Sequence, residues 1–305
     1  MSSKQIRHIL QLSPIERKQF LDSFDYVMFD CDGVLWTVFE SIRGVQHALD
    51  ALRCAGKTLR YITNNSVRPF ASYATQFRSL GIDLRPEDIV HPALSIVRYL
   101  KRSHFQGLIY CLATENFKNV LLQAGFDLID GPTEPMEESF RKIIATVNDK
   151  APVGAVIIDV DFNMNYPKLM RAEFYLKRDP NCLLLAGATD RALHVRPGMN
   201  VIGPGDFLDI LESATGRSAI ILGKPGPQLA EQVISIYGIE DPRRVLFVGD
   251  MLRQDIAFGA RCGFQRMLVL SGGATVEQML AEGDQECVPD YYADSVADFA
   301  KLIEG

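Results

Sequence analysis

The sequence contains no Cys-x-x-Cys pair, and none of its uncharged hydrophobic runs is long enough to cross a bilayer. Its six cysteines are scattered, so we expect neither disulfides nor a zinc site. The first twenty residues are charged and lack the apolar stretch of a signal peptide, which predicts a cytoplasmic protein without a membrane partner. The formal net charge of −6 argues against nucleic acid as the main partner.

Strand-like and helix-like segments alternate over most of the 305 residues, which is typical of a parallel sheet with helices on both faces. A hydrophobic content of 47% is ample for the core of about two domains. We therefore predict an α/β fold with a doubly wound, Rossmann-like core. The alternating core segments are, in chain order, strand 26–29, helix 42–54, strand 58–62, helix 70–80, strand 219–222, helix 227–237, strand 244–248, helix 255–262, strand 266–270 and helix 296–303.

The middle of the chain has strands and helices of its own. Apolar strand-like runs lie at 108–112, 155–160 and 182–186, between the two halves of the expected core sheet. This pattern predicts an inserted α/β cap domain at 104–218 and a core made of 1–103 and 219–305. The Gly203-Pro204-Gly205 segment within the cap lacks the third glycine of a dinucleotide fingerprint, so it indicates only a turn or a hinge.

Two aspartates follow the first core strand in the segment Asp30-Cys31-Asp32-Gly33-Val34. Side chains two residues apart on a strand point to one side, so both carboxylates can reach one ligand. Gly33 permits a sharp turn with exposed N–H groups, which suits an anion. The same letters could open a calcium loop, but the residues that follow supply neither the further acids nor the closing Glu. The segment therefore indicates phosphate chemistry.

Polar clusters follow three further strands of the predicted core sheet. In such a sheet ligands bind beyond the carboxyl ends of the strands, so we expect all four clusters to be neighbours. Taken singly, each also fits an ordinary role as a turn, a helix cap or a surface lysine. The three clusters are Thr63-Asn64-Asn65-Ser66, Gly223-Lys224-Pro225, and Gly249-Asp250 with Asp255 shortly beyond.

Together these clusters resemble the four motifs of phosphatases in the haloacid dehalogenase superfamily. The segments D-C-D-G-V-L-W, T-N-N-S, G-K-P and G-D-x-x-x-x-D are similar to the branch that contains p-nitrophenyl, phosphoglycolate and pyridoxal phosphate phosphatases. The resemblance covers most of the chain and implies a large α/β cap inserted after the second motif. It also implies a phosphoric monoester hydrolase acting on a small phosphorylated metabolite.

The resemblance and the chemistry of phosphoryl transfer assign the same roles to the first motif. Asp30 would be the nucleophile that forms an aspartyl phosphate, and Asp32 would be the general acid and base. A bound phosphate beside carboxylates requires a cation, and Mg²⁺ prefers oxygen ligands. We therefore expect Mg²⁺ to be held by Asp30, the backbone carbonyl of Asp32, and Asp250, with Asp255 orienting a ligating water or a neighbouring group.

The other motif residues would bind the phosphate. Thr63 and the Asn64 backbone N–H would donate hydrogen bonds to its oxygens, and Lys224 would place a positive charge beside Asp30. Two alternatives remain: a catalytically silent phosphate-binding or scaffold homologue, and a phosphoprotein phosphatase.

The cap departs from the family pattern, which leaves the substrate open. Asn163 stands where animal phosphatases often carry His, Ala188 stands in place of Asn, and Gln254 of the fourth motif replaces the usual Thr. The resemblance also implies a homodimer formed through the cap. The candidate substrate contacts in the cap are Asp190, Arg191 and His194; each also fits a purely structural role.

Overall fold

A computed structural model describes residues 6–37, 40–196 and 199–305, without the side chains of 194–196. The strands are β1 (Arg7–His8), β2 (Tyr26–Phe29), β3 (Thr58–Ile62), β4 (Ile89–Val90), β5 (Leu108–Leu112), β6 (Leu128–Ile129), β7 (Val153–Ile158), β8 (Leu183–Ala186), β9 (Ala192–Arg196), β10 (Met199–Ile202), β11 (Ile220–Ile221), β12 (Val245–Gly249), β13 (Gln265–Val269) and β14 (Tyr291–Ala293). They form two parallel sheets and one antiparallel pair.

Helices cover the two parallel sheets. They are α1 (Pro14–Asp22), α2 (Val45–Cys54), α3 (Phe70–Ser79), α4 (Pro92–Arg102), α5 (Glu115–Gln123), α6 (Phe140–Val147), α7 (Tyr166–Arg178), α8 (Pro204–Thr215), α9 (Pro227–Tyr237), α10 (Ala257–Cys262), α11 (Val276–Ala281) and α12 (Asp298–Glu304), and a π-helical turn at Leu252–Ile256 leads into α10. Among the described residues, none of these helices has the length and apolar character needed to cross a membrane.

The core sheet has seven parallel strands in the order β1-β14-β13-β12-β2-β3-β4. Its central strands are almost continuously apolar, because helices bury both faces of a parallel sheet. Phe29 at the end of β2 pairs with Val248 of β12 on one side and with Tyr61 of β3 on the other. The three strands therefore end at the same edge, as predicted for the doubly wound α/β core.

The cap sheet has five parallel strands in the order β11-β8-β7-β5-β6. Ile158 at the end of β7 pairs with Leu112 of β5 and with Ala186 of β8. The loops after β7 and β8 thus leave the same edge of the cap sheet. The antiparallel pair β9–β10 follows the loop after β8.

The prediction that 219–222 is a core strand is wrong. Ile220 and Ile221 pair with β8 in the cap sheet, and Leu222 packs in the cap hydrophobic cluster. Two half-buried isoleucines carry no information about which of two parallel sheets they join. Helix α4 likewise contributes Ala93, Ile96 and Leu100 to that cluster. The division at 104–218 stays a prediction, and these contacts favour a wider cap.

Candidate active site

The ends of β2 and β12 place three aspartates together at the edge of the core sheet. Carboxylate oxygens of Asp30, Asp250 and Asp255 all lie within 4.8 Å of one another, and all three residues are buried. We call these residues the acidic cluster. Gly33, in the turn after β2, has φ +86°, and a Cβ at this position would lie 2.5 Å from Oδ2 of Asp250. The turn therefore requires glycine both for its backbone conformation and for the close approach of this carboxylate.

Lys224 connects two members of the acidic cluster. Its Nζ lies 2.7 Å from Oδ1 of Asp30 and 2.6 Å from Oδ1 of Asp255, and the residue is 1% exposed. A buried ammonium of this kind requires partners of opposite charge. The structure thus brings together the lysine that follows β11 of the cap sheet and the aspartates of the core sheet.

Burial and the neighbouring charges strongly shift the pKa values of Asp30, Asp250 and Lys224. Burial raises the pKa of Asp30 to about 7; the charge of Lys224 opposes this rise, and the Asp255 carboxylate adds to it. Burial also raises the pKa of Asp250 well above its usual range, and Asp255 and Asp30 add to this effect. Burial alone would lower the pKa of Lys224, but the carboxylates of Asp255 and Asp30 outweigh it and raise that pKa. The lysine is therefore protonated, and the cluster favours an additional cation.

The two remaining members of the acidic cluster use their oxygens differently. Oδ2 of Asp250 accepts a hydrogen bond of 2.6 Å from the Gly273 N–H, whereas Oδ1 is buried and has no partner among the described residues. Asp255 accepts from Lys224 through Oδ1 and from the N–H groups of Asp250 and Met251 through Oδ2. An orphaned buried carboxylate oxygen next to Asp30 fits a metal ligand, while the satisfied Asp255 fits a supporting residue.

Three side-chain donors surround the carboxylate of Asp32. Its Oδ1 accepts from the indole Nε1–H of Trp36 at 3.1 Å and lies 3.2 Å from Nη2 of Arg68. Its Oδ2 accepts from the side-chain amide of Asn65 at 3.0 Å. Asn65 belongs to the predicted second cluster and Trp36 ends the first motif, but no contact with Asp32 was expected of either residue, and Arg68 lies outside the predicted clusters. These contacts fix the position of the Asp32 carboxylate near the end of β2.

The two predicted phosphate-binding residues after β3 differ in their surroundings. Thr63 is 2% exposed, and its Oγ1 accepts from the Asn65 N–H at 3.1 Å. The Asn64 side chain bonds to the main chain of Lys224 and to the carboxylate of Asp190. The second cluster therefore contacts Lys224, which in turn pairs with the acidic cluster, so these predicted clusters are neighbours.

A glycine-containing loop after β13 completes the site and was missed. Ser271 Oγ donates to the Gly33 carbonyl at 2.7 Å. A Cβ on Gly272 would lie 2.1 Å from Oδ2 of Asp250, and the next N–H, that of Gly273, donates to the same oxygen. Small residues directly after a predicted core strand were the signal that could have identified this loop.

The three cap candidates are not equivalent. Oδ2 of Asp190 accepts from Asn64 at 2.9 Å, and burial raises the pKa of Asp190. Arg191 is exposed and pairs with Asp206 and Asp209 of α8. The backbone of His194 lies in β9, and its side chain is outside the described part of the chain. Of the two candidate side chains that the structure describes, that of Asp190 contacts the core motifs and that of Arg191 pairs with α8.

The three positions that depart from the family pattern also occupy different environments. Asn163 lies exposed in the loop between β7 and α7, and its carbonyl accepts from Nζ of Lys168 at 3.0 Å. Ala188 is buried and donates its N–H to Asp159 at 2.8 Å. Oε1 of Gln254 is buried without a partner among the described residues. Of these three positions, Ala188 therefore lies nearest in the chain to Asp190.

Comparison with known families agrees with this geometry. Residues 27–127 match the family described as haloacid dehalogenase-like hydrolase, and residues 221–299 match a second model described as HAD-hydrolase-like. These two regions contain all four predicted core clusters. The chain belongs to the haloacid dehalogenase-like hydrolases, as the sequence resemblance predicted.

Relatives within this family are named phosphatases. The chain is 33% identical to phosphoglycolate phosphatase 2 of Arabidopsis thaliana, over 96% of this chain and 98% of that protein. It is 35% identical to human chronophin, over 91% of this chain and 93% of that protein. The solved structure of a 4-nitrophenylphosphatase from Thermotoga maritima has the same fold, with a TM-score of 0.76 and 22% identity over 93% of this chain and 98% of that one. At the level of the family, the prediction of a phosphoric monoester hydrolase is confirmed.

Proposed function

We propose that this protein is a Mg²⁺-dependent phosphomonoesterase that works through an aspartyl-phosphate intermediate. The observation that carries this proposal is the arrangement of Lys224 between Asp30 and Asp255, together with Oδ1 of Asp250 in the same cluster, which has no partner in the described part of the chain. A phosphoryl group carries negative charge on its peripheral oxygens, so a site for its transfer needs a fixed cation beside the nucleophile. Lys224 meets this requirement.

The residues account for both half-reactions. A carboxylate oxygen of Asp30 forms a bond to phosphorus while the ester P–O bond breaks, and Asp32 gives its proton to the departing alkoxide. Asp32 then takes a proton from water, whose oxygen bonds to phosphorus while the bond to Asp30 breaks. The donors around Asp32 hold its carboxylate for both proton transfers. Thr63, the Asn64 N–H and Lys224 would bind the phosphate oxygens throughout.

The donor set fits a magnesium ion. Asp30, the backbone carbonyl of Asp32 and Asp250 would hold it, because hard oxygen ligands suit Mg²⁺ and one oxygen of Asp250 has no partner among the described residues. When bound, the ion neutralises negative charge on the phosphate and on the carboxylates. Asp255 would orient these groups, since both of its oxygens already accept hydrogen bonds.

The proposed substrates are small phosphorylated metabolites of the phosphoglycolate, glycerol phosphate or pyridoxal phosphate type. Relatives named phosphoglycolate phosphatase and glycerol-3-phosphate phosphatase support this range. Contacts from Asp190, Arg191 and His194 to the leaving group stay a prediction. So does a cytoplasmic location without nucleic-acid partners.

Purified protein with Mg²⁺ should release phosphate from p-nitrophenyl phosphate, and Asp30→Asn should not. Equal rates for the two proteins would leave the silent-scaffold alternative standing. Activity on a phosphopeptide panel that exceeds activity on phosphometabolites would instead favour a phosphoprotein phosphatase.

We also propose that the protein forms a homodimer through the cap. Strand β10 and helix α8 expose several apolar side chains, which is typical of an interaction surface. Sedimentation velocity should show a dimer for the wild type and a monomer for Ile202→Lys. The exposed residues are Met199 (41%), Val201 (40%), Ile202 (65%) and Ile210 (50%).

A further inference from the structure

The side chain of Asn64 lies at the contact between the cap and the catalytic residues. Its Oδ1 accepts from the Lys224 N–H at 2.7 Å, and its Nδ2 donates to the Lys224 carbonyl at 3.0 Å. The same Nδ2 donates to Oδ2 of Asp190 at 2.9 Å. One amide thus joins the second motif, the third motif and the cap.

These three bonds determine the orientation of the amide. Only the oxygen can accept from the Lys224 N–H, and only the nitrogen can donate to a carbonyl and a carboxylate. The nitrogen has two hydrogens, and Lys224 and Asp190 take one each. If Asp190 is removed, the amide loses the charged acceptor that holds its second hydrogen, and the pair of bonds to Lys224 is less well fixed.

The segment that carries Asp190, residues 187–191, is itself held on the side of the cap sheet. We call it the cap loop. The buried carboxylate of Asp159, just after β7, accepts from the Ala188 N–H at 2.8 Å and from the Val160 N–H at 2.7 Å. A Cβ at Gly187 would lie 1.9 Å from Oδ2 of Asp159. Glycine at 187 therefore allows this carboxylate to lie directly against the loop.

The start of α8 holds the other side of the cap loop. The N–H groups of Gly203 and Gly205 donate to the carbonyls of Arg191 and Asp190 at 2.8 and 3.1 Å. A Cβ on Gly203 would lie 2.0 Å from the Asp190 carbonyl oxygen, and one on Gly205 would lie 2.4 Å from that of Thr189. The Gly203-Pro204-Gly205 segment is therefore a close-packing element for this loop.

The cap loop also touches the turn before Lys224. A Cβ on Gly223 would lie 2.5 Å from the Gly187 carbonyl oxygen and 3.0 Å from Oδ1 of Asn64. The main chain of the cap loop is thus in direct contact with the main chain just before Lys224. Two independent features, the Asn64 hydrogen bonds and this close approach, connect the cap loop to Lys224.

We propose that Asp190 is a positioning residue for catalysis, which acts through Asn64 to fix the main chain of Lys224. The position of Nζ between Asp30 and Asp255 then depends on the cap loop being in place. This role rests on the proposed function, and it predicts an effect that is the same for every substrate. A residue that only contacts the leaving group would alter some substrates and spare others.

The test compares Asp190→Ala, Asp190→Asn, Asn64→Ala and the double variant Asp190→Ala/Asn64→Ala. We expect Asp190→Ala to lower kcat by roughly tenfold on both p-nitrophenyl phosphate and phosphoglycolate, with little change in KM, because a misplaced group reduces transition-state stabilisation. Asp190→Asn keeps a neutral acceptor and should lose less. The double variant should be no worse than Asn64→Ala alone, since both residues act through one contact.

Hydrogen exchange supplies a readout that does not depend on turnover. The Lys224 N–H donates to Asn64, so the peptide that contains it should exchange faster in Asp190→Ala than in the wild type. Asp209→Asn, which removes an exposed carboxylate from the same region, serves as the matched control. It should change neither kcat nor the exchange of the peptide that contains Lys224.

Two outcomes would overturn the positioning role. One is a loss of activity in Asp190→Ala that is confined to one substrate, with unchanged exchange, which would make Asp190 a substrate contact. The other is unchanged kcat on p-nitrophenyl phosphate. If the wild type itself released no phosphate, the proposed function would fail, while the exchange measurement would still decide whether Asp190 orders Lys224.

Discussion

Nζ of Lys224 lies 2.7 Å from Oδ1 of Asp30, and both residues are buried at the edge of the core sheet. The same ammonium is shared with Asp255. Removing it would leave two buried carboxylates without their cation. We therefore expect Lys224→Met to lower the free energy of unfolding by about 3–5 kcal/mol, as for other broken buried ion pairs, and kcat by roughly 10²-fold or more. Urea unfolding and phosphate release measure the two effects.

The matched control for this substitution is Lys177→Met. Lys177 pairs with Glu173 on an exposed turn of α7, so its loss should cost no more than about 0.5 kcal/mol. It should also leave phosphate release unchanged. If Lys224→Met were as stable as this control in metal-free buffer, the buried ion pair would not be holding the acidic cluster together.

Magnesium should stabilise the folded protein through Asp250. Its buried Oδ1 lacks a hydrogen-bond partner among the described residues and lies in the acidic cluster, so a ligand that satisfies this oxygen binds only the folded state. At a free Mg²⁺ concentration of about 100 Kd the gain should be roughly 2.7 kcal/mol. Thermal unfolding with Mg²⁺ and with a chelator measures the shift, which Asp250→Asn should abolish.

A second acidic group provides the control for metal binding. His8, Asp294 and Asp298 also bring possible ligand atoms together, but Oδ1 of Asp298 is already paired with Lys301. Asp294→Asn should therefore keep the full magnesium shift. A magnesium shift that survived in Asp250→Asn and vanished in Asp294→Asn would place the metal beside β1 and β14. That result would contradict the assignment to Asp250.

Sequence pattern predicted the parts of the fold that depend on local chemistry. Continuous apolar runs identified β2 and β12. Helix α2 begins at Val45, later than the apolar spacing indicated, because Gly44 precedes it with φ +84°. Strand β11 was assigned to the wrong sheet, since sheet membership depends on pairing with a distant strand.

In the candidate site, too, features set by local chemistry were predictable and contacts between distant segments were not. Asp30, Thr63 and Asp250 were predictable because a parallel sheet brings the ends of its strands to one edge, whereas Lys224 reaches this edge from β11 of the cap sheet. The indole of Trp36 on Asp32 was not, because the conformation of the turn decides which side chains reach the carboxylate. The contact between Asn64 and Asp190 joins residues 126 positions apart, and no local pattern indicates it.

The buried carboxylate of Asp159 should make stability depend on pH. Burial raises the pKa of Asp159 to about 7, although the Ala188 and Val160 N–H groups oppose the rise. The folded state then binds a proton that the unfolded chain releases near pH 4, so this residue's contribution is present at low pH and is lost as the pH rises toward 7. In Asp159→Asn this dependence of the free energy of unfolding on pH should be missing. The difference in the free energy of unfolding between the wild type and this variant should therefore shrink from pH 5 to pH 8.

Urea unfolding of the wild type and of Asp159→Asn at several pH values measures this difference. A difference that stayed constant from pH 5 to pH 8 would mean that Asp159 is ionised in the folded protein over this whole range, as it is in the unfolded chain. In that case the two N–H donors would outweigh burial. The cap loop would then be held by a full negative charge next to Gly187, and the cost of Asp159→Asn should be the same at pH 5 and at pH 8.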